Sequence, residues 1–246
     1  MSLLELKNIS RQFGAIHAVE DVSFKIEPGE IVGLMGDNGA GKSTLVKMIA
    51  GNFPASSGKM VFDGKEVEFN QPSDARRAGI EIVYQDLALC DNLSAAANVF
   101  LGREIMRSVG PFKFLDHRKM RERAAELFRE LQSETRPRDV VKRMSGGQRQ
   151  AVAIARTRLA DAKLVLMDEP TAAISVRQVA EVLALIKRLK ERGVAVILIS
   201  HRMPDVFGVC ERIMVLRRGH LVANKLASTS SPEEITALIV GAKAAA

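Results

Sequence analysis

Glu30-Ile31-Val32-Gly33-Leu34-Met35-Gly36-Asp37-Asn38-Gly39-Ala40-Gly41-Lys42-Ser43-Thr44-Leu45-Val46-Lys47-Met48-Ile49-Ala50-Gly51 is the stretch that decides the fold. Its middle carries two glycines, Gly36 and Gly41, separated by four residues and followed by Lys42 and Ser43. Residues 31–35 form a short apolar run, as a buried strand requires, and Leu45, Met48 and Ile49 recur at helical spacing. A strand therefore feeds a glycine loop that opens a helix. Such a loop turns several backbone N–H groups toward an anion, and the helix N-terminus adds partial positive charge. Lys42 reaches the outer phosphates of such a ligand, and the Ser43 hydroxyl is placed for magnesium. Chance produces this pattern in about one chain in a hundred of this length. The flanking strand and helix make it rarer still.

Working outward, 246 residues with 47% hydrophobic content suffice for one large domain with a full core. The net charge of +7 suits phosphates, an anionic membrane surface or nucleic acid. One Tyr and no Trp argue against a stacking platform for single-stranded nucleic acid. Cys90 and Cys210 have neither metal nor disulfide-framework spacing, which fits a reducing compartment. The N-terminal residues do not read as a signal peptide, and no run approaches the roughly 18 apolar residues of a membrane span.

Leu4 and Leu6, then Val22, Phe24 and Ile26, alternate with polar residues and predict half-buried strands. Between them lies Phe13, which reads either as a core residue or as an aromatic that stacks on adenine. Residues 60–62 and 65–67 flank Asp63-Gly64, the preferred two-residue hairpin turn. An antiparallel sheet should thus surround the phosphate-loop unit. Residues 80–84 predict a further strand ending at Gln85. The texture then becomes helical, with a short helix over 94–101, a loop over 111–115, and an Asp116-capped helix carrying Met120, Ala124, Leu127, Phe128 and Leu131 on one face. Ser145-Gly146-Gly147-Gln148 opens another helix and is a second, weaker anion-site candidate. The apolar run 164–167 ends in Asp168-Glu169, at the strand end where open α/β sheets bind ligands. A helix over 176–192, a buried strand over 194–199 ending in Ser200-His201, a hairpin around Arg218-Gly219, and a last helix with a capping box at Ser231–Glu234 complete the chain.

Taken in order, these motifs resemble the ATP-binding-cassette ATPases: a Walker A loop at Gly36 to Thr44, a Q-loop at Gln85, the signature at Ser145 to Gln148, a Walker B strand ending at Asp168 with Glu169 next, and a switch histidine at His201. The resemblance implies an α/β fold with a P-loop NTPase core, an N-terminal antiparallel β subdomain and an inserted α-helical subdomain. It implies one cassette over 1–246, with the nucleotide-binding core at 1–86 and 162–246 and the helical signature lobe at 87–161. By the same resemblance ATP and Mg2+ are bound. Phe13 stacks on adenine. Gly36, Asn38, Gly39, Ala40, Gly41, Lys42, Ser43 and Thr44 hold the phosphates, and Ser43, Asp168 and Gln85 attend the magnesium. Glu169 polarises the attacking water, and His201, Lys42 and Gln85 complete the catalytic set. Ser145, Gly146, Gly147 and Gln148 of a second copy close the site, so the expected working unit is a homodimer.

Two positions depart from the family pattern. Met144 stands where Leu is usual, and Ala172-Ala173-Ile174-Ser175 stands where Ser-Ala-Leu-Asp is usual, so the aspartate that aligns the opposite site is absent. The segments 84–89 and 98–104, with the wording of the Walker A loop, resemble bacterial monosaccharide importers of the ribose, xylose and fructose type. That implies a transmembrane permease as partner, a periplasmic sugar-binding protein as an indirect one, no nucleic acid, and a peripheral location on the cytoplasmic face of the inner membrane. The alternatives are a transport ATPase for a non-sugar substrate and a soluble cassette outside transport.

Overall fold

The computed structural model describes residues 2–84, 87–109, 111–159, 161–172 and 174–242. In chain order the elements are β1 (Leu4–Phe13), β2 (Ile16–Ile26), β3 (Ile31–Met35), α1 (Lys42–Ile49), β4 (Ser57–Phe62), β5 (Lys65–Val67), α2 (Pro72–Ala78) and β6 (Ile80–Val83). Then come α3 (Ala95–Phe100), β7 (Met106–Val109), β8 (Phe112–Leu115), α4 (His117–Glu130) and α5 (Gly146–Leu159). The chain continues through β9 (Leu164–Asp168), α6 (Val176–Glu191), β10 (Ala195–Ile199), α7 (Met203–Val209), β11 (Arg212–Arg217), β12 (His220–Leu226) and α8 (Pro232–Val240).

A six-stranded sheet in the order β12-β11-β3-β10-β9-β6 is the frame. All neighbours are parallel except the edge pair β11–β12. Its central strands are continuous apolar runs because both faces are covered. Strand alternation sorts their side chains into two cores. Val32, Leu34, Leu164, Leu166, Ala195, Ile197 and Ile199 join α1 and the antiparallel strands, whereas Ile31, Met35, Val165, Met167, Val196 and Leu198 join α3 to α6. A Cβ on Gly33 would lie 2.7 Å from Val206 Cγ1, so its missing side chain lets α7 pack closely on β3.

The antiparallel sheet runs β2-β1-β4-β5. The β4–β5 turn has positive φ at both Asp63 (51°) and Gly64 (75°), the twist-matched hairpin geometry that Asp-Gly favours. Asp116 caps α4 as expected, and Ser94, expected as the first residue of α3, stands before it as its N-cap.

Some expectations require correction. Residues 111–115 are not a loop. They contribute β8, which pairs antiparallel with β7, and Phe112 stands 67% exposed there. The hairpin around Arg218-Gly219 is longer than expected, because Arg212 to Leu226 pair throughout. Ser231 caps α8, but the Glu234 carboxylate pairs with Lys225 instead of closing a capping box. The short helices α2 and α7 were not anticipated.

Candidate functional site

The register of the parallel sheet places three loops side by side. Ile199 of β10 pairs with Leu34 of β3 on one side and with Asp168 of β9 on the other. The glycine loop after β3, Glu169 after β9 and His201 after β10 therefore emerge from one edge of the sheet.

In the glycine loop, Gly36 (φ 152°) and Gly41 (φ 101°) adopt backbone conformations that side chains disfavour, and a Cβ on either would strike the carbonyl of Leu216 or Ala18. The loop is thereby pressed against β11 and β2. No side chain caps α1. Among the described residues, the amides of Gly39, Gly41, Lys42, Ser43 and Thr44 find no acceptor within the protein, which leaves a ring of donors at a helix N-terminus. The Lys42 ammonium donates to the Gly36 and Asp37 carbonyls at 2.7 and 2.9 Å. Burial pushes its pKa down, opposed by the carboxylates of Glu169, Asp168 and Asp37. Asn38 and Ser43 are exposed at the rim, and Ala40 is buried beneath it.

Asp168 is the last residue of β9. Burial pushes its carboxyl pKa up, opposed by Lys42 and Lys47. Glu169 sits at φ 49°, a strained backbone for a non-glycine, held by its amide donating to the Ile199 carbonyl at 3.0 Å. Its buried Oε2 lies 2.9 Å from His201 Nδ1 without hydrogen-bond alignment, so it has no donor of its own. His201 is otherwise exposed. A buried carboxylate oxygen lacking a donor, beside an exposed imidazole and a ring of free amides, is arranged to accept a proton from something bound there. The hydroxyl of Ser43 and the carboxylate of Asp168 are the oxygen donors that suit magnesium. Among the described residues no group of three or more His, Cys, Asp or Glu could hold a metal unaided, so remaining ligands would come from phosphate and water. Gln85, expected as a magnesium and catalytic contact, lies outside the described residues.

The signature stands apart, against α6. Ser145 and Gln148 cap each other, with Ser145 N–H donating to Gln148 Oε1 (3.0 Å) and Gln148 N–H to Ser145 Oγ (3.3 Å). A Cβ on Gly146 would lie 2.8 Å from Ile174 Cγ2, and one on Gly147 2.5 Å from Glu181 Oε2. Gly146 thus permits close contact with the loop after β9, and Gly147 with α6. In that loop Ser175 replaces the usual aspartate, and its side chain is used locally in a capping box with Gln178.

Several residues of the site region were not singled out from sequence. Buried Gln150 donates to the Pro170 carbonyl at 2.5 Å and so ties α5 to the turn after Glu169. Thr171 donates to buried Asp205 at 2.5 Å. Phe13, 43% exposed at the end of β1, packs edge-on to Phe53, and the Arg11 guanidinium covers both rings. Of these, Phe13 is the one that the sequence marks, as an aromatic able to stack on adenine; Gln150 lies in a helix that also carries Gln148, Arg149, Arg156 and Arg158, so its burial leaves no local signal.

Comparison with known proteins identifies this arrangement. The family model described as ABC transporter matches residues 19–172. The xylose/arabinose import ATP-binding protein XylG of Sulfolobus acidocaldarius is 46% identical over 95% of this chain and 92% of its own length. The chain belongs to the ABC transporter family. The ribose import ATP-binding protein RbsA of Geobacillus kaustophilus is 38% identical over 97% of the chain, which spans 48% of that longer relative. A solved dimeric ATP-binding cassette in a post-hydrolysis state, bound to ADP and Pi, is 27% identical and covers 91% of this chain and 98% of its own, with a TM-score of 0.74. A nucleotide-free ABC cassette (TM-score 0.82, 24% identical, 98% of this chain and 96% of its own) shares the fold. The ABC cassette fold, with its antiparallel β subdomain and helical region, is therefore the fold of this chain. No helix among the described residues is long and apolar enough to cross a membrane.

Proposed function

We propose that this ABC protein is the ATP-hydrolysing subunit of an importer for a monosaccharide of the pentose class, and that two copies sandwich two ATP molecules. The observation that carries the reading is the shared sheet edge at which free amides of the glycine loop, Asp168-Glu169 and His201 converge, while the signature glycines lie elsewhere against α6. One copy then offers two half-sites. The nucleotide-binding core is assigned to 1–86 and 162–246, and the signature lobe to 87–161.

In the reaction, the amides of Gly39, Gly41, Lys42, Ser43 and Thr44 and the Lys42 ammonium bind the β- and γ-phosphates in positions where charge develops during transfer. Phe13 stacks on adenine. Glu169 Oε2, which has no donor of its own, orients the attacking water and takes its proton. His201, beside that oxygen, steadies the water and the γ-phosphate. Ser43 and Asp168 would hold magnesium, with Gln85 proposed as a further contact, and the ion would supply positive charge at the phosphates. Ser145, Gly146, Gly147 and Gln148 of the second copy close the opposite side. The dimeric ADP-bound relative supports the pairing, and the pentose import relatives support the substrate class.

The permease is proposed to dock at a groove lined by Tyr84, Leu87, Ala88, Leu101, Arg103 and Arg156. Within the same segment Phe100 is 1% exposed and fills the helical core, and Val99, also 1% exposed, forms only the floor of the groove. Docking there, through a separate membrane subunit, places the chain at the cytoplasmic face of the inner membrane.

The test is uptake of radiolabelled xylose, arabinose and ribose by a strain deleted for this chain. Loss of uptake for at least one, restored by the wild type but not by Glu169→Gln, is expected. Unchanged uptake of all three overturns the sugar assignment.

A further inference from the structure

Arg11 and Phe13 lie two residues apart on β1, so both side chains leave the same face of the strand. Phe53 reaches that face from the loop that follows α1. The two rings meet edge to face, with centroids 5.3 Å apart and planes at 85°. The Arg11 guanidinium carbon sits 4.6 Å from the Phe13 centroid and 4.8 Å from that of Phe53. One of its terminal nitrogens donates to the Pro54 carbonyl at 2.8 Å. Its Nε is buried and has no acceptor. A buried N–H without an acceptor carries a free-energy cost, and here the π faces of two rings are the partners that the guanidinium meets.

This cluster sits beside the phosphate loop. Arg11 pairs with Val19 and Gln12 with His17 across β1–β2, and Ala18 between them is the residue against which Gly41 packs. Phe53 follows α1 after a turn closed by Gly51 N–H to the Met48 carbonyl (3.0 Å) and Asn52 N–H to the Lys47 carbonyl (2.9 Å). The clamp therefore joins the strand that bears Phe13 to the helix that receives the phosphates.

We propose that Arg11 is a positioning residue for the nucleotide base, an inference that rests on the reading of Phe13 as the adenine-stacking ring. It acts in two ways. It fixes the plane of the Phe13 ring against Phe53 and Pro54, so that the ring is set before the base arrives. It also places a cation against one face of the ring. That cation draws electron density away from the opposite face, which then meets an electron-rich purine more favourably. Arg is suited to this because its planar fork stacks on two rings and still reaches Pro54, which a lysine cannot do in one geometry.

Binding of magnesium–ATP and of magnesium–tripolyphosphate to the full chain, followed by calorimetry, separates base from phosphate. Phe13→Leu should raise the Kd for ATP by about tenfold, since stacking one base on an aromatic is worth about 1–3 kcal/mol, and should leave tripolyphosphate unchanged. Arg11→Met should raise the Kd for ATP by about three- to tenfold and also leave tripolyphosphate unchanged. Arg11→Lys, which keeps charge and bulk and guards against a folding defect, should fall between wild type and Arg11→Met. If Phe13→Leu weakens ATP and Arg11→Met does not, the role given to Arg11 is wrong while base stacking stands. If Arg11→Met weakens both ligands alike, Arg11 merely supports the loop and the proposal is overturned. If Phe13→Leu has no effect, the stacking reading falls and this inference falls with it.

Discussion

Replacing Lys42 by Ala separates what this side chain does for the fold from what it does for chemistry. In the structure its ammonium makes two hydrogen bonds to carbonyls of an open loop. Water replaces such partners readily in an open loop, so their joint loss costs about 1–2 kcal/mol. An opposing gain comes from burial, which disfavours the charged amine and lowers its pKa. A group whose folded pKa lies below its unfolded value destabilises the fold at every pH below that folded pKa, and the penalty fades as pH rises through it. At neutral pH the alanine variant is relieved of the penalty. The two effects oppose each other, and Tm should move by less than about 4 °C for a chain of this length. Catalysis has no such compensation. Removal of one preorganised donor at a developing negative charge costs about 100- to 1000-fold in rate. Scanning calorimetry and phosphate release, measured on the same preparation, check both halves. Near-normal hydrolysis would refute the role of Lys42. A Tm loss beyond 10 °C would refute the claim that its contacts are energetically minor.

Asp168→Asn should raise the Tm of the nucleotide-free protein by a few degrees at neutral pH, at about 2–4 °C per kcal/mol recovered, because burial holds the Asp168 carboxyl above its usual pKa. The sign follows from linkage: the charged form is disfavoured in the fold above the raised pKa, and the penalty disappears as pH falls through it, so the gain should shrink on acidification. Magnesium-dependent hydrolysis should collapse in the same variant, and an unchanged or lower Tm at neutral pH counts against the burial argument. At the docking groove, cysteines at Leu87, Ala88 or Leu101 in a Cys90→Ser background should cross-link to the permease in membranes. Absence of cross-links there, with cross-links from control positions elsewhere on the cassette, removes the docking assignment.

The site was legible where chemistry and periodicity coincide in a short stretch. The glycine loop announces itself because only glycine fits where Gly36 and Gly41 press on Leu216 and Ala18, and the strand and helix around it keep clean apolar patterns. The central strands were legible because burial on both faces leaves uninterrupted apolar runs. The β7–β8 hairpin was missed because its alternation has no core behind it: Met106, Phe112, Phe114 and Leu115 are all exposed, so burial never imposed a polar face. The helices α2 and α7 span only seven residues each, too few for a period to show, although proline in the first turn marks both. The contact of Arg11 with Phe53 joins residues 42 positions apart and leaves no local trace. The left-handed backbone of Glu169 is likewise imposed by the surrounding sheet, since nothing in a carboxylate side chain asks for it.

The central claim is that ATP is hydrolysed between two copies of this chain, with Glu169 as the group that takes the proton. Light scattering of Glu169→Gln with ATP and magnesium tests it most directly, because this variant keeps the phosphate loop and Asp168 while the proton acceptor is lost. The account predicts a species of twice the 26.9 kDa chain mass, which forms with ATP, persists because turnover is blocked, and reverts to monomer when Lys42→Ala is added. A Glu169→Gln protein that binds ATP tightly yet remains monomeric at every concentration up to that of the wild type in the cell would contradict it.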